Sequence, residues 1–215
     1  MLTSLRRFVF PLVLLAAAPF AAAQPILSNY PPANDTNTTA DVDNLRQKAL
    51  SFSMPASTSA TVGNLTVRLG NYASATDIPV FEIRDHTGST TAPGPNVLLS
   101  FTAPPPGTAA IQDYTFTPSS TFTLVGGTSY WILMRGADAA TSVDWRGSSP
   151  AIIPTGIATY GGQSLFTMNG GTSWTSSTTI NSLRLEVIPE PSMLGLADFG
   201  LLALTRRARR TRRLA

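Results

Sequence analysis

The chain has 215 residues, 15 basic and 12 acidic side chains, a net charge of +3 and no cysteine. The lack of cysteine excludes disulfides, catalytic thiols, and thiolate-bound zinc or iron–sulfur sites. The positive charge lies at the two ends, since residues 24–188 hold seven basic and ten acidic residues, a net charge of −3. We therefore expect no basic surface for nucleic-acid phosphates and no nucleic-acid partner.

The first 23 residues have the anatomy of a secretory signal peptide. Arg6 and Arg7 precede an apolar run over 8–20, and three alanines at 21–23 supply the small residues of a cleavage site. We predict export through the secretory translocon and cleavage by signal peptidase near residue 23. The alternative is an uncleaved membrane anchor, for which the apolar run is short.

Residues 24–44 contain many polar residues and no apolar periodicity, which predicts an irregular polar leader. This segment gathers oxygen ligands of the kind that calcium prefers, so Asp35, Asp41 and Asp43 are weak candidates for a calcium site. The spacing does not fit an EF-hand loop, because Ala40 and Arg46 stand where that loop needs Gly and Glu. We expect no other cofactor.

Residues 45–188 predict one all-β domain. Apolar and polar residues alternate most clearly over 61–69, and β-branched or aromatic runs recur along the segment. Gly- and Pro-rich turn signals separate the runs. This spacing predicts an antiparallel β-sandwich, jelly-roll-like, with one sheet face on a core and the other in water. The expected strands lie within 45–54, 61–69, 78–84, 97–101, 111–117, 121–125, 128–134 and 182–187.

The order of these strands resembles the choice-of-anchor domains of exported bacterial proteins, specifically type R. The resemblance rests on three strands over about residues 45–187: Val-x-Asn-Leu-Thr-Val-Arg-Leu-Gly at 62–70, Val-Phe-Glu-Ile-Arg-Asp at 80–85, and Tyr-Trp-Ile-Leu at 130–133. It implies a β-rich domain that occurs with several alternative surface anchors and has no defined activity.

Aromatic side chains suggest a glycan-binding role for the domain. Trp145 and Trp174 lie among Gly, Ser and Thr, so we expect them to be exposed and able to stack on sugar rings. Trp131 lies in an apolar strand and is expected in the core. His86, the only histidine, is expected in a solvated turn. A glycan-active hydrolase would need two paired carboxylates, and the sequence does not pair any.

The last 27 residues carry the most specific signal. Pro189, Glu190 and Pro191 precede an apolar run over 193–204, and a cluster of arginines follows: Arg206, Arg207, Arg209, Arg210, Arg212 and Arg213. This ending resembles the PEP-CTERM sorting signal of Gram-negative bacteria. The resemblance implies that the Pro-Glu-Pro motif is recognised by an exosortase, a processing enzyme of the inner membrane. The alternative is a linker before a basic amphipathic tail.

The expected tail helix is short for a membrane span. Residues 193–204 would extend about 18 Å as a helix, against about 30 Å of hydrocarbon. Asp198 near its middle costs about 2.5–3.5 kcal/mol on the insertion scale, which nearly cancels the gain from the apolar residues. The arginines would hold the distal end on the cytoplasmic side. We therefore expect transient retention at the inner membrane, not a permanent anchor.

The sequence thus predicts an exported, non-enzymatic surface or extracellular-matrix protein, associated by resemblance with exopolysaccharide and biofilm. The final location would be the cell surface or the medium. A carbohydrate-binding module is the alternative, and a hydrolase is the third interpretation.

Overall fold

The computed structural model describes residues 24–34, 39–86 and 91–188, and every regular element in these ranges is a β-strand. The strands are β1 (Leu27–Ser28), β2 (Thr39–Val42), β3 (Gln47–Ser53), β4 (Ala60–Gly70), β5 (Pro79–Asp85), β6 (Val97–Thr102), β7 (Gln112–Pro118), β8 (Thr123–Leu124), β9 (Ser129–Gly136), β10 (Val143–Arg146), β11 (Thr159–Thr167), β12 (Thr175–Ser176) and β13 (Leu183–Val187).

All strand pairs are antiparallel and form one curled sheet of 13 strands. The hydrogen-bonded order is β1-β13-β4-β7-β6-β5-β9-β3-β11-β12, with β10 and β8 paired to β4 and β2 paired to β10. The β6–β7 pairing spans only two residue pairs, Phe101 with Pro118 and Thr102 with Thr117. This short seam joins the part of the curled sheet that contains β4 and β7 to the part that contains β5 and β9.

The concave side of the curled sheet encloses the main core. Phe81 of β5 makes an edge-on contact with Phe116 of β7, with ring centroids 4.8 Å apart, and with Trp145 of β10 at 5.1 Å. All three side chains are fully buried. Each side chain of this size contributes about 1.5–3 kcal/mol on burial, so these contacts help to hold the two halves of the sheet together.

The prediction of an all-β antiparallel domain is confirmed, and each of the eight predicted strand segments contains a strand. The prediction that residues 24–44 lack strands is wrong. In this segment Leu27 and Ser28 pair with β13, and β2 pairs with β10. Ile26 and Leu27 are fully buried, and burial of these two apolar side chains docks the segment onto the sheet.

Strand β9 explains how a site can form outside the main core. Tyr130, Ile132 and Met134 point into the concave core, whereas Trp131 and Leu133 point to the other side and are also buried. A strand covered on both faces reads as a continuous apolar run, as this one does. On the convex side, His86 after β5 stacks on Trp131, and Trp174 after β11 packs against the cluster that contains Trp131 and Leu133.

Candidate functional site

The two tryptophans predicted to be exposed have different environments. Trp145 is fully buried beside Phe81, and its indole N–H donates a 2.9 Å hydrogen bond to the carbonyl oxygen of Ser182. The prediction of an exposed Trp145 is wrong, because Val143 and Trp145 alternate with Asp144 along β10 and point into the core. Trp145 therefore has no surface on which a sugar could stack.

Trp174 lies on the convex side of the sheet and is half-buried. It packs against a small apolar cluster formed by Ala49, Trp131, Leu133 and Leu165. Trp131 is fully buried as expected, but in this second cluster and not in the main core. Trp174 is thus supported from below by a rigid sheet surface while part of its ring remains accessible.

His86 is also part of the convex surface. Its imidazole stacks on the indole of Trp131, with ring centroids 5.5 Å apart and an interplanar angle of 12°. The expectation of a solvated turn residue is therefore wrong in part, because one face of the ring is covered by Trp131. The indole Nε1 of Trp131 is buried without a hydrogen-bond partner, so His86 shields this face of the cluster without satisfying its polar atom.

The loop between β11 and β12 positions Trp174. The Asn169 carboxamide oxygen accepts hydrogen bonds from the Ser173 backbone N–H at 3.0 Å and from the Thr167 hydroxyl at 2.7 Å. Gly170 and Gly171 have φ angles of 69° and 92°, a left-handed region that glycine adopts without strain. The Gly170 N–H also donates to the carbonyl of Leu45 at 2.9 Å, which ties the loop to the chain before β3.

Two arginines share one buried carboxylate beside Trp174. Glu82, on the convex side of β5, is only 3 % exposed at its side chain. Arg84 approaches one Glu82 oxygen at 2.6 Å, and Arg135 of the neighbouring strand approaches the other at 2.9 Å. Their side chains remain 21 % and 32 % exposed, respectively. The sheet therefore fixes two guanidinium groups at its surface with one negative charge between them, which leaves a net charge of +1.

Arg84, Arg135 and Trp174 line one groove of about 480 Å³ on the convex side of the sheet. Leu133 lies within it, and the 93–95 turn and the 170–171 turn contribute backbone walls. Gly94 fits only as glycine, since an added Cβ would lie 1.9 Å from a carboxylate oxygen of Asp85. The other lining side chains are mostly polar or aromatic: Gln47, Arg84, Arg135 and Trp174. The volume is within the range of about 300–1,000 Å³ that is typical of small-ligand sites.

The groove offers both stacking and hydrogen bonding. Trp174 supplies an aromatic surface and an indole N–H, and the two arginines supply several N–H donors. Gln47 donates through Nε2 to the carbonyl of Asn44 at 2.9 Å, while its Oε1 lies near Gly171. An indole ring beside guanidinium donors suits a ligand that has one apolar face and oxygen atoms around its edge.

A second cavity, of about 350 Å³, contains a buried lysine. Lys48 is 2 % exposed and donates a hydrogen bond to the Ser177 hydroxyl. Burial lowers the pKa of Lys48 to about 8, because the charged amine loses solvent. This burial could not be predicted from the sequence, because it depends on the pairing of Lys48 in β3 with Met134 and Phe166, which are distant along the chain.

Two of the three calcium candidates, Asp41 and Asp43, are engaged with Arg46. The Asp43 carboxylate accepts hydrogen bonds from the backbone N–H groups of Leu45 and Arg46 at 2.7 and 2.6 Å and from the Arg46 guanidinium at 2.8 Å. Burial opposes the change, but these hydrogen bonds outweigh it and lower the pKa of Asp43. Asp41 pairs with the same guanidinium at 3.2 Å. Among residues 24–34, 39–86 and 91–188, no group of three or more acidic or histidine side chains could hold a metal ion.

The structure pairs two carboxylates that the sequence could not pair. Asp144 of β10 lies directly opposite Asp41 of β2, and the side chain of Asn71 donates to Asp144 at 2.7 Å. Burial, followed by the hydrogen bond and charge of Asp41, raises the pKa of Asp144 to about 6. The two carboxylates are in direct contact, whereas a glycosidase pair is separated by about 5–10 Å.

Several sequence predictions lie outside the described residues. These are the signal peptide at 1–23, the calcium candidate Asp35, the motif Pro189, Glu190 and Pro191, and the arginines Arg206, Arg207, Arg209 and Arg210. Within the part of the chain that the structure describes, no helix is long and apolar enough to span a bilayer.

Comparison with protein families and with curated proteins gives no match for this chain. No protein-family model matches the sequence, and no curated protein matches it. Inferences about function therefore rest on the residues and their geometry.

Proposed function

We propose that this protein is an exported, non-enzymatic surface or extracellular-matrix protein that binds a glycan in the convex groove beside Trp174. The observation that supports this most strongly is the position of Trp174, a half-buried indole held by a structured loop next to fixed hydrogen-bond donors. Indoles with one accessible face stack on the apolar face of a sugar ring, and donors around the ring bind its hydroxyl groups.

The rigidity of the site supports the same proposal. The indole packs against the cluster of Ala49, Trp131, Leu133 and Leu165, and Glu82 holds the two guanidiniums in place. A site of this kind loses little conformational freedom on binding, because its side chains are ordered in advance. The glycan expected from the resemblance is an exopolysaccharide, which would place the protein in a biofilm matrix.

A glycan array with the purified chain, followed by calorimetry on the best ligand, tests the proposal. Trp174→Ala is expected to weaken binding about ten-fold or more, since stacking on an aromatic side chain contributes about 1–3 kcal/mol in comparable ring-stacking sites. Ile153→Ala is the matched control, because Ile153 is 61 % exposed and lies outside the groove. Binding that is equal in both variants, or absent from a broad array, would refute the proposed groove.

The proposed route to the cell surface rests on the two ends of the sequence. Signal peptidase would remove residues 1–23 after translocation, and an exosortase-type enzyme would process the chain at Pro189, Glu190 and Pro191 while the Arg-rich tail is retained at the inner membrane. Intact-mass measurement of the protein from its native cell tests this route. A mature protein that still contains residues 192–215 would contradict it.

We also propose that the curled sheet is a jelly-roll-like sandwich. The support is the two-residue seam between β6 and β7 and the ring contacts across the core between Phe81, Phe116 and Trp145. Two facing layers would give one core and one convex surface per layer, and the groove would lie on one of these surfaces.

A further inference from the structure

We propose that the glycan bound in the convex groove is anionic, and that Arg84 and Arg135 bind its negatively charged sugar unit. This inference rests on the proposed glycan-binding function and specifies the chemical class of the ligand. The charge of the groove supports this inference. Two guanidiniums line the groove and share one buried carboxylate, so the three groups together are positive before any ligand binds.

The positive groove contrasts with the rest of the domain. Residues 24–188 have a net charge of −3 and only seven basic residues, and two of the seven line this groove. Asp85, at the end of β5, is turned toward the 94–96 turn, where it accepts hydrogen bonds from the backbone N–H and side-chain amide of Asn96 at 3.2 and 2.5 Å. Among the described residues that line the groove none is acidic, and the buried Glu82 reaches it only by pairing with Arg84 and Arg135.

Both guanidiniums keep donors for a ligand. Arg84 uses Nε and Nη2 for Glu82, and Arg135 uses Nε and Nη2 for Glu82 and Nη1 for the carbonyl oxygen of Gly136 at 3.3 Å. A guanidinium has five N–H groups in a planar fork, so N–H groups remain on each side chain. Such a fork binds a carboxylate or sulfate oxygen pair with charge-assisted hydrogen bonds.

The sheet also explains why Glu82 does not cancel this role. Glu82 and Arg84 lie two residues apart on the same face of β5, and Arg135 lies on the adjacent strand, so all three side chains project to the convex side. Glu82 is buried beneath the guanidiniums, whereas the guanidiniums are partly exposed. The carboxylate orients the two cations from below, and their outer edges, beside Trp174, remain available to the ligand.

The test compares ligands that differ only in charge. Calorimetry with the full chain would use a short polyuronate oligosaccharide, the same oligosaccharide with its carboxylates reduced to alcohols, and a sulfated oligosaccharide. The polyuronate or the sulfated ligand is expected to bind at least ten-fold more tightly than the reduced one, since a charge-assisted hydrogen bond is stronger than a neutral one. Of the polyuronate and the sulfated oligosaccharide, the one that binds more tightly identifies whether the anionic group is a carboxylate or a sulfate. The preference should weaken as salt is raised.

Variants then locate the effect. Arg135→Gln should weaken binding of the charged ligand about ten-fold more than it weakens binding of the reduced ligand, because the reduced ligand loses only neutral hydrogen bonds. Arg135→Lys should restore part of the preference, because it keeps the charge but loses the planar fork. Arg184→Gln is the matched control: Arg184 pairs with Glu186 at 3.1 Å on β13 and lies outside the groove.

The outcomes separate this inference from the proposed function. Equal binding of the charged and reduced oligosaccharides, with Trp174→Ala weakening both, would overturn the inference and leave a neutral glycan site. If Arg135→Gln and Arg184→Gln reduced the preference for the charged oligosaccharide equally, the inference would also be overturned, because the overall charge of the protein would then explain the preference. Failure of every oligosaccharide to bind would overturn the proposed function itself.

Discussion

Replacing Trp145 or Trp174 with alanine should have opposite consequences for stability and binding. Trp145 is fully buried in the main core, contacts Phe81 and donates a hydrogen bond to Ser182. Trp145→Ala leaves a cavity of nearly a whole indole, and such truncations cost about 3–5 kcal/mol. Trp174 is half-buried on the outer cluster, so its truncation should cost only about 1 kcal/mol.

Urea denaturation followed by circular dichroism measures both free energies of unfolding. For a chain of this length about 1 kcal/mol corresponds to roughly 2–4 °C in melting temperature, so Trp145→Ala should lower the melting temperature by about 6–20 °C. Trp174→Ala should lower it by only a few degrees and abolish most glycan binding. Similar small losses in both variants would show that Trp145 is not in the core and would refute the assignment of the two side chains.

Two further variants test the buried charges. The gain in stability of Asp144→Asn over the wild type should be larger at pH 8 than at pH 4. Burial and Asp41 raise the pKa of Asp144 from 3.8 to about 6 in the folded protein. The wild type therefore loses stability as pH rises from 3.8 to about 6, and this loss is complete above about pH 6. Chemical denaturation at both pH values measures this, and a gain that is independent of pH would contradict it. In Lys48→Met, we expect the free energy of unfolding at pH 7 to rise by up to about 3 kcal/mol, offset in part by loss of the hydrogen bond to Ser177. The reason is that burial lowers the pKa of Lys48 from 10.5 to about 8 in the folded protein, so the cost of the buried charge is complete below pH 8. That gain should shrink as pH rises toward 10.5, and a gain that grows instead would exclude desolvation as its cause.

The clearest strands could be predicted from the sequence because their patterns are local. Residues 61–69 alternate apolar and polar side chains, and β4 places the apolar set in the core. Within the predicted strand at 128–134, residues 130–134 are all apolar or aromatic, and β9 is covered on both sides. In these segments tertiary contacts reinforce the intrinsic preference of the chain.

Other strands were missed because their signals are short or resemble turns. Strand β11 contains Gly161 and Gly162, which indicate a turn, but the structure accommodates them in an irregularity of the β3–β11 pairing between Tyr160 and Ser164. Strand β10 has only four residues, although the alternation of Val143 and Trp145 with Asp144 could have indicated that Trp145 points inward. Such short patterns gain their meaning from long-range pairing.

The groove depends almost entirely on contacts that are distant in sequence. Glu82 and Arg135 are 53 residues apart, and they meet because β5 pairs with β9. Trp174 was identified from its polar surroundings, but the same reasoning wrongly assigned Trp145 to the surface. Local composition therefore distinguishes poorly between a tryptophan on a convex surface and one that a short strand turns into the core.

The most direct test of the central claim is the response of the three tryptophan indole N–H signals to glycan in a nitrogen-15 NMR spectrum. The sequence contains three tryptophans, so each signal can be assigned by substitution. The account predicts that the Trp174 signal shifts as the glycan saturates the protein, whereas the buried Trp145 signal in the opposite half of the curled sheet remains in place. Glycan binding that leaves the Trp174 signal unchanged would contradict the proposed site.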